Sequence, residues 1–108
     1  MITFLALILS FSNLHALYTA TASGGLWNLG TTWVGGIAPP STLDDDVSIP
    51  SGSTVTMTSD LLIQTTAYIL TIDGSLIDGA SSYKITMEKK ADLVVSGTLN
   101  IDGLYLTY

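Results

Sequence analysis

The chain has 108 residues, a formal net charge of −6, and a composition that is 47% apolar and 11% charged. That is one small domain, too apolar to stay disordered, and at this size it buries only about 60% of its unfolded surface. The only side-chain cations besides His15 are Lys84, Lys89 and Lys90, which excludes a nucleic-acid partner, because displacing counterions from phosphate needs a field of cations. Anionic membrane surfaces are disfavoured for the same reason. Cysteine is absent, so disulfides and thiolate sites are excluded, whereas secretion is not, since stacked repeats can hold themselves together by neighbour contacts.

Ile2 to Phe11 is an apolar run broken only by Thr3 and Ser10. As a helix it would reach about 15 Å, half of the roughly 30 Å needed to cross a bilayer. Ser12, Asn13 and His15 follow, and then small residues at Ala16, Ala20 and Ala22. This is the order of an export signal, although its first residues lack lysine and arginine. Residues 1–16 are therefore expected to be a signal peptide cut after Ala16, with Ala20 or Ala22 as alternative sites and a buried N-terminal strand or helix as the rival. Removal of the signal takes His15, the only histidine. The exported domain, 17–108, then has no Ser-His-Asp or Cys-His arrangement and no zinc site of the usual kind. No catalytic residue, metal or cofactor is expected.

Gly24 to Gly52 holds both tryptophans, all three prolines and the acidic cluster Asp44-Asp45-Asp46. Glycines and Pro39-Pro40 make it a structured loop and not a helix. Val47 and Ile49 alternate with Ser48 to begin a strand that ends at Pro50-Ser51-Gly52. Trp27 and Trp33 suit a lid over the open end of a β core, since large aromatics bury much area; the functional alternative is a platform on which a pyranose stacks. The three aspartates suit turn positions with a carboxylate capping loop N–H groups; calcium is the alternative, but its loops space oxygen ligands with glycine between.

Trp27, then Thr32-Trp33-Val34-Gly35-Gly36, then Pro39-Pro40, then Asp45-Asp46-Val47-Ser48-Ile49-Pro50-Ser51-Gly52 resembles the opening of the eight-glycine (G-eight) extracellular domain and of related bacterial secreted β-helix modules. The resemblance spans about Gly25 to Gly103. It implies a right-handed parallel β-helix outside the cell, in a family where some members are linked to polysaccharide binding or hyaluronan breakdown. Leu43 departs from it where glycine is expected, and members usually continue well past this length.

Beyond Gly52 the wording repeats. Ile49-Pro50-Ser51-Gly52-Ser53, Ile72-Asp73-Gly74-Ser75-Leu76 and Val95-Ser96-Gly97-Thr98-Leu99 place their glycines 22 and then 23 residues apart. A period in the twenties with alternating apolar residues points to a solenoid. Strands are expected over Thr54 to Thr58, Tyr68 to Ile72, Tyr83 to Met87, Asp92 to Val95, Thr98 to Ile101 and Leu104 to Thr107, all rich in threonine, valine and isoleucine. The fold class is thus all-β, a short right-handed parallel β-helix with an N-terminal capping loop; a β-sandwich is the alternative.

Asp73-Gly74, Asp78-Gly79 and Asp102-Gly103 mark turns. Asp78 and Asp102 each close an Ile-Asp-Gly turn and lie 24 residues apart. Stacked at about 5 Å they would have the separation of a retaining glycosidase pair; water-facing turn residues are the favoured reading. Glu88 to Lys90 is a polar interruption whose lysines protect an edge. The last strand has no cap after it, which is expected of a fragment of a larger parent chain or of an end that pairs with a partner. No Asn-x-Ser/Thr acceptor occurs.

The function expected is a secreted or surface-displayed structural or adhesive module, with extracellular polysaccharide as the ligand that the resemblance implies and Trp27, Trp33, Asp78 and Asp102 as candidate contacts. The alternative is a fragment of a β-helical polysaccharide-degrading enzyme. A third possibility is assembly through end-to-end strand pairing. No integral membrane segment remains after signal removal.

Overall fold

The computed structural model describes residues 17–64, 68–88 and 91–107. The expected signal peptide with His15, the lysines Lys89 and Lys90, and Tyr108 lie outside the described residues.

Eleven short strands occur: β1 (Tyr18–Thr19), β2 (Gly25–Leu26), β3 (Val47–Ile49), β4 (Thr54–Thr56), β5 (Leu61–Ile63), β6 (Ile69–Ile72), β7 (Ser75–Ile77), β8 (Lys84–Glu88), β9 (Asp92–Val95), β10 (Thr98–Asn100) and β11 (Gly103–Thr107). The one helical element among the described residues is a 3-10 turn at Gly30–Thr32. The strands make three sheets, ordered β1-β3-β6-β9, β2-β4-β7-β10 and β5-β8-β11. Every strand pairing is parallel. Parallel neighbours cannot be joined by hairpins, so the antiparallel sandwich is not the architecture.

From β3 onward the chain places one strand in each sheet in turn and then returns to the first. Three such circuits follow one another: β3–β4–β5, β6–β7–β8 and β9–β10–β11. Alternate residues point inward, as the buried–half-buried–buried pattern of Val47–Ile49 and Leu61–Ile63 shows. The pairing register sets like on like: Val47, Leu70 and Leu93 form one column, and Ile49, Ile72 and Val95 a second. Val55, Leu76 and Leu99 form a third, followed by Leu61–Ile85–Leu104 and Ile63–Met87–Leu106. In the first two circuits these side chains are essentially solvent-free, each worth about 1.5–3 kcal/mol of burial.

The corner between the first and second sheets explains the repeated glycine. The carbonyl of Ile49 accepts from the N–H groups of both Asp73 and Gly74, and that of Ile72 accepts from both Ser96 and Gly97. The main chains come so close there that a Cβ on Gly74 would stand 2.2 Å from the Ser53 carbonyl oxygen, and one on Gly97 would stand 2.0 Å from that of Gly74. The wording of the repeat misplaces its first member. Thr54 pairs with Ser75, so the residue opposite Gly74 is Ser53 and not Gly52. Gly52 serves instead in a longer turn, at φ +89° with open space around it.

The expected strands are present, with ends shifted by one or two residues. β1, β2, β5 and β7 lie outside the expected strands, because β1 and β2 are two residues each, Leu61-Leu62-Ile63 does not alternate and Ser75–Ile77 is only three residues long. Glu88 belongs to β8 and not to an interruption. The corner between the second and third sheets varies most, spanning Met57 to Asp60, then Asp78 to Tyr83, then Ile101 and Asp102.

These two glycine roles separate by mutation. Gly74→Ala, which must push two circuits apart, is expected to cost about 3 kcal/mol or more, against about 1–2 kcal/mol for the conformational strain of Gly52→Ala. Urea midpoints of the two variants, compared with the parent chain, check the order.

Candidate functional site

The N-terminal end of the stack is closed by residues 20–43. Trp27 is tied to the second sheet by its main-chain N–H, which donates to the Thr56 carbonyl at 2.8 Å. Its indole Nε1–H donates to the carbonyl of Pro39 at 2.9 Å, and Trp33 Nε1–H donates to the carbonyl of Trp27 at 2.8 Å. The two rings meet edge to face with centroids 5.1 Å apart, the geometry that the ring quadrupoles favour. Each is 2% exposed. Thr32 is buried beside them and its hydroxyl donates to the Leu26 carbonyl at 2.7 Å. Trp33 bridges to Ala20 in antiparallel fashion, and Leu43 donates to Leu62 over the edge of β5. Trp27 and Trp33 are thus the lid and not a stacking platform, since a platform needs an exposed ring face. Leu43, at the expected glycine position, is fully buried in the same closure.

The aspartate cluster alternates as an extended chain should, with Asp45 buried between the more exposed Asp44 and Asp46. Each carboxylate has its own partner. Asp44 Oδ1 accepts from the Tyr18 hydroxyl at 2.9 Å, and Asp45 Oδ1 accepts from the Asp46 N–H at 2.8 Å. Asp46 Oδ1 reaches the next circuit and accepts from the Ile69 N–H at 2.9 Å. Asp60, which sequence reasoning passed over, does the same for Lys84 N–H at 3.0 Å. Both stand one residue before a strand and cap the residue opposite them one circuit on. Their signal was positional: an aspartate 23 or 24 residues ahead of the N–H that it caps. Asp73 accepts from the Ser96 hydroxyl, a third tie between circuits. Among the described residues, no cluster of His, Cys, Asp or Glu is arranged to hold a metal ion.

Asp78 and Asp102 are not brought opposite one another. Asp78 N–H donates to the Asn100 carbonyl, while Asp102 N–H donates to that of Tyr83. Asp78 begins the six-residue corner before β8, and Asp102 ends the two-residue corner before β11. The 24-residue interval counts across corners of different length, so it does not mark equivalent positions.

At the far end the columns run out into solvent. Val95, Leu104 and Leu106 occupy inward positions of the last circuit and are 41%, 44% and 53% exposed, whereas Ile72, Ile85 and Met87 beneath them are 0%, 0% and 7% exposed. Leu93 and Leu99 are half-buried. β9, β10 and β11 each have one paired edge and, among the described residues, one without a partner strand. A shallow apolar cleft of about 200 Å³ lies at the other end, lined by Leu17, Tyr18, Val34, Gly35 and Ile37; it brings together no group able to do acid–base work below high pH.

Tyr18 couples this end to pH. Burial raises its phenol pKa above the usual value, and the hydrogen bond to Asp44 and the charges of Asp44 and Asp45 push the same way. The folded state therefore favours the neutral phenol. That contribution is complete below about pH 10 and is lost as pH rises through the higher folded value. Tyr18→Phe is expected to lose one exposed hydrogen bond at neutral pH, about 0.5 kcal/mol, and to flatten the alkaline fall in stability; urea denaturation across the alkaline range checks both.

Comparisons with protein-family models, with curated proteins and with solved structures gave no match to this chain.

Proposed function

We propose that this chain is a secreted or surface-displayed structural and adhesive module. In this reading it forms the opening coils of a right-handed parallel β-helix, closed at its N-terminal end by the tryptophan cap and adhesive at its other end. The observation that carries the proposal is the last circuit, whose strand edges have no partner among the described residues and whose inward aliphatics are half-exposed. The cyclic order of the three sheets supports the coil, and right-handedness is the rule for parallel crossovers. The resemblance of the Trp27-to-Gly52 segment to eight-glycine extracellular domains points to the same fold and the same place outside the cell. Polysaccharide contact is not the favoured mode of adhesion, because Trp27 and Trp33 are consumed by the lid.

Export after Ala16 fits the first sheet. β1 begins at Tyr18 and pairs with β3, so that cut leaves the sheet whole, whereas a cut after Ala22 removes β1 and the Ala20–Trp33 bridge. Secreted protein is expected to begin at Leu17, as read by mass spectrometry of the intact chain; a mature terminus inside β1 overturns this boundary.

Adhesion is assigned to end-to-end strand pairing between copies. Two of the three N-terminal edges are covered, by residues 32–34 over β1 and 41–43 over β5, and the third, β2, is two residues long and carries the Thr32 hydroxyl on its Leu26 carbonyl. The last circuit has three strand edges without a partner among the described residues, and a contact between two such faces is isologous and closes at two copies. Light scattering should show concentration-dependent dimers and no larger species. Leu104→Asp with Leu106→Asp should return the chain to a monomer with its circular dichroism unchanged. A monomer at all concentrations, or an open series of oligomers, overturns the assignment.

A further inference from the structure

Three Asp-Gly pairs occur in the described chain, at Asp73-Gly74, Asp78-Gly79 and Asp102-Gly103. Their local sequences offer the same chemistry. The main-chain nitrogen of a glycine is uncrowded and can attack the side-chain carboxyl of the preceding aspartate. A new C–N bond closes a five-membered succinimide, and one water leaves, made of a carboxyl oxygen with its proton and the proton from nitrogen. Water then re-adds. Attack on the side-chain carbonyl carbon restores aspartate, whereas attack on the main-chain carbonyl carbon breaks the original peptide bond and leaves a β-linked isoaspartate of unchanged mass. Water is the only co-reactant.

The fold treats the three pairs differently. Gly74 is buried, and its N–H donates to the Ile49 carbonyl at 2.9 Å. Its Asp73 carboxylate is occupied by the Ser96 hydroxyl. Asp102-Gly103 leads straight into β11: Asp102 N–H donates to Tyr83, Gly103 pairs with Lys84, and the Tyr105 ring lies against Gly103. The first pair is pinned at its corner by the Ile49 carbonyl and the second runs into β11, so rotating the aspartate carboxyl onto the next nitrogen requires breaking those contacts. In the third pair Asp78 N–H is held by the Asn100 carbonyl, but Gly79 lies outside any strand. Gly79 is exposed at φ +64°, and its N–H has no hydrogen-bond partner among the described residues. It opens the longest corner of the stack, where Ala80, Ser81 and Ser82 are exposed as well. The carboxylates of Asp78 and Asp102 make no hydrogen bond among the described residues, so what separates Asp78 from Asp102 is the glycine that follows it.

We propose that Asp78 is a self-modification site, the position at which the folded chain converts aspartate to isoaspartate. The product carries one extra main-chain methylene at the corner between β7 and β8, next to the Asp78–Asn100 hydrogen bond that joins the last two circuits. The change therefore acts on the attachment of the final circuit, the end whose exposure is described above.

The test is ageing of the intact secreted chain at neutral pH and body temperature. Peptide mapping with electron-transfer fragmentation then distinguishes isoaspartate from aspartate at each of the three positions. Isoaspartate is expected to accumulate several-fold faster at Asp78 than at Asp73 or Asp102, and the three rates are expected to converge in urea, where the fold no longer protects two of them. Equal rates in the folded chain, faster conversion at Asp73 or Asp102, or a preference for Asp78 that persists undiminished in urea overturns the proposal.

Discussion

The stack depends on one contact between main chains. At the corner leaving the first sheet, a single carbonyl takes two N–H groups from the circuit beyond it: Ile49 from Asp73 and Gly74, then Ile72 from Ser96 and Gly97. This is possible only where no Cβ intervenes, which is why Gly74 and Gly97 sit there. Once the corners are pinned, the flanking strands have no freedom of register. A slip of one residue would turn every aliphatic outward. The columns headed by Val47, Ile49, Val55, Leu61 and Ile63 are the direct result.

Three aspartates hold one circuit to the next. Asp46 and Asp60 cap main-chain N–H groups one circuit ahead, and Asp73 takes the hydroxyl of Ser96. Strand ladders leave such groups at the ends of short strands, and a buried N–H without a partner is costly. A carboxylate on the corner supplies the missing acceptor while facing water. The acidic balance of the sequence therefore has a structural origin in this part of the molecule, independent of any ligand.

The first and last described circuits are treated in opposite ways. The N-terminal end uses the largest side chains in the sequence, crossed edge to face, with both indole N–H groups satisfied by carbonyls of the same loop. The far end presents the same aliphatic columns uncovered, and Leu106 is 53% exposed where Met87 beneath it is 7%. Short parallel strands have little stability by themselves, so covering this end adds both ladder hydrogen bonds and buried area.

The all-β class, the period in the twenties, the glycine corners and the position of the tryptophan lid are legible along the chain. Each of these rests on local chemistry: alternation, Asp-Gly turns, proline stiffness, and aromatic area that has to be hidden. The register is not legible there, and it emerges from the packing of one circuit on the next. Wording aligned Gly52 with Gly74, but the first corner is longer, and Ser53 takes that place. Wording also aligned Asp78 with Asp102, but corners of six and two residues carry them to different positions. Partners a circuit away, such as Asp60 for the Lys84 N–H, are not visible along the chain, because corner lengths vary and the main chain counts hydrogen bonds across circuits and not residues along the sequence.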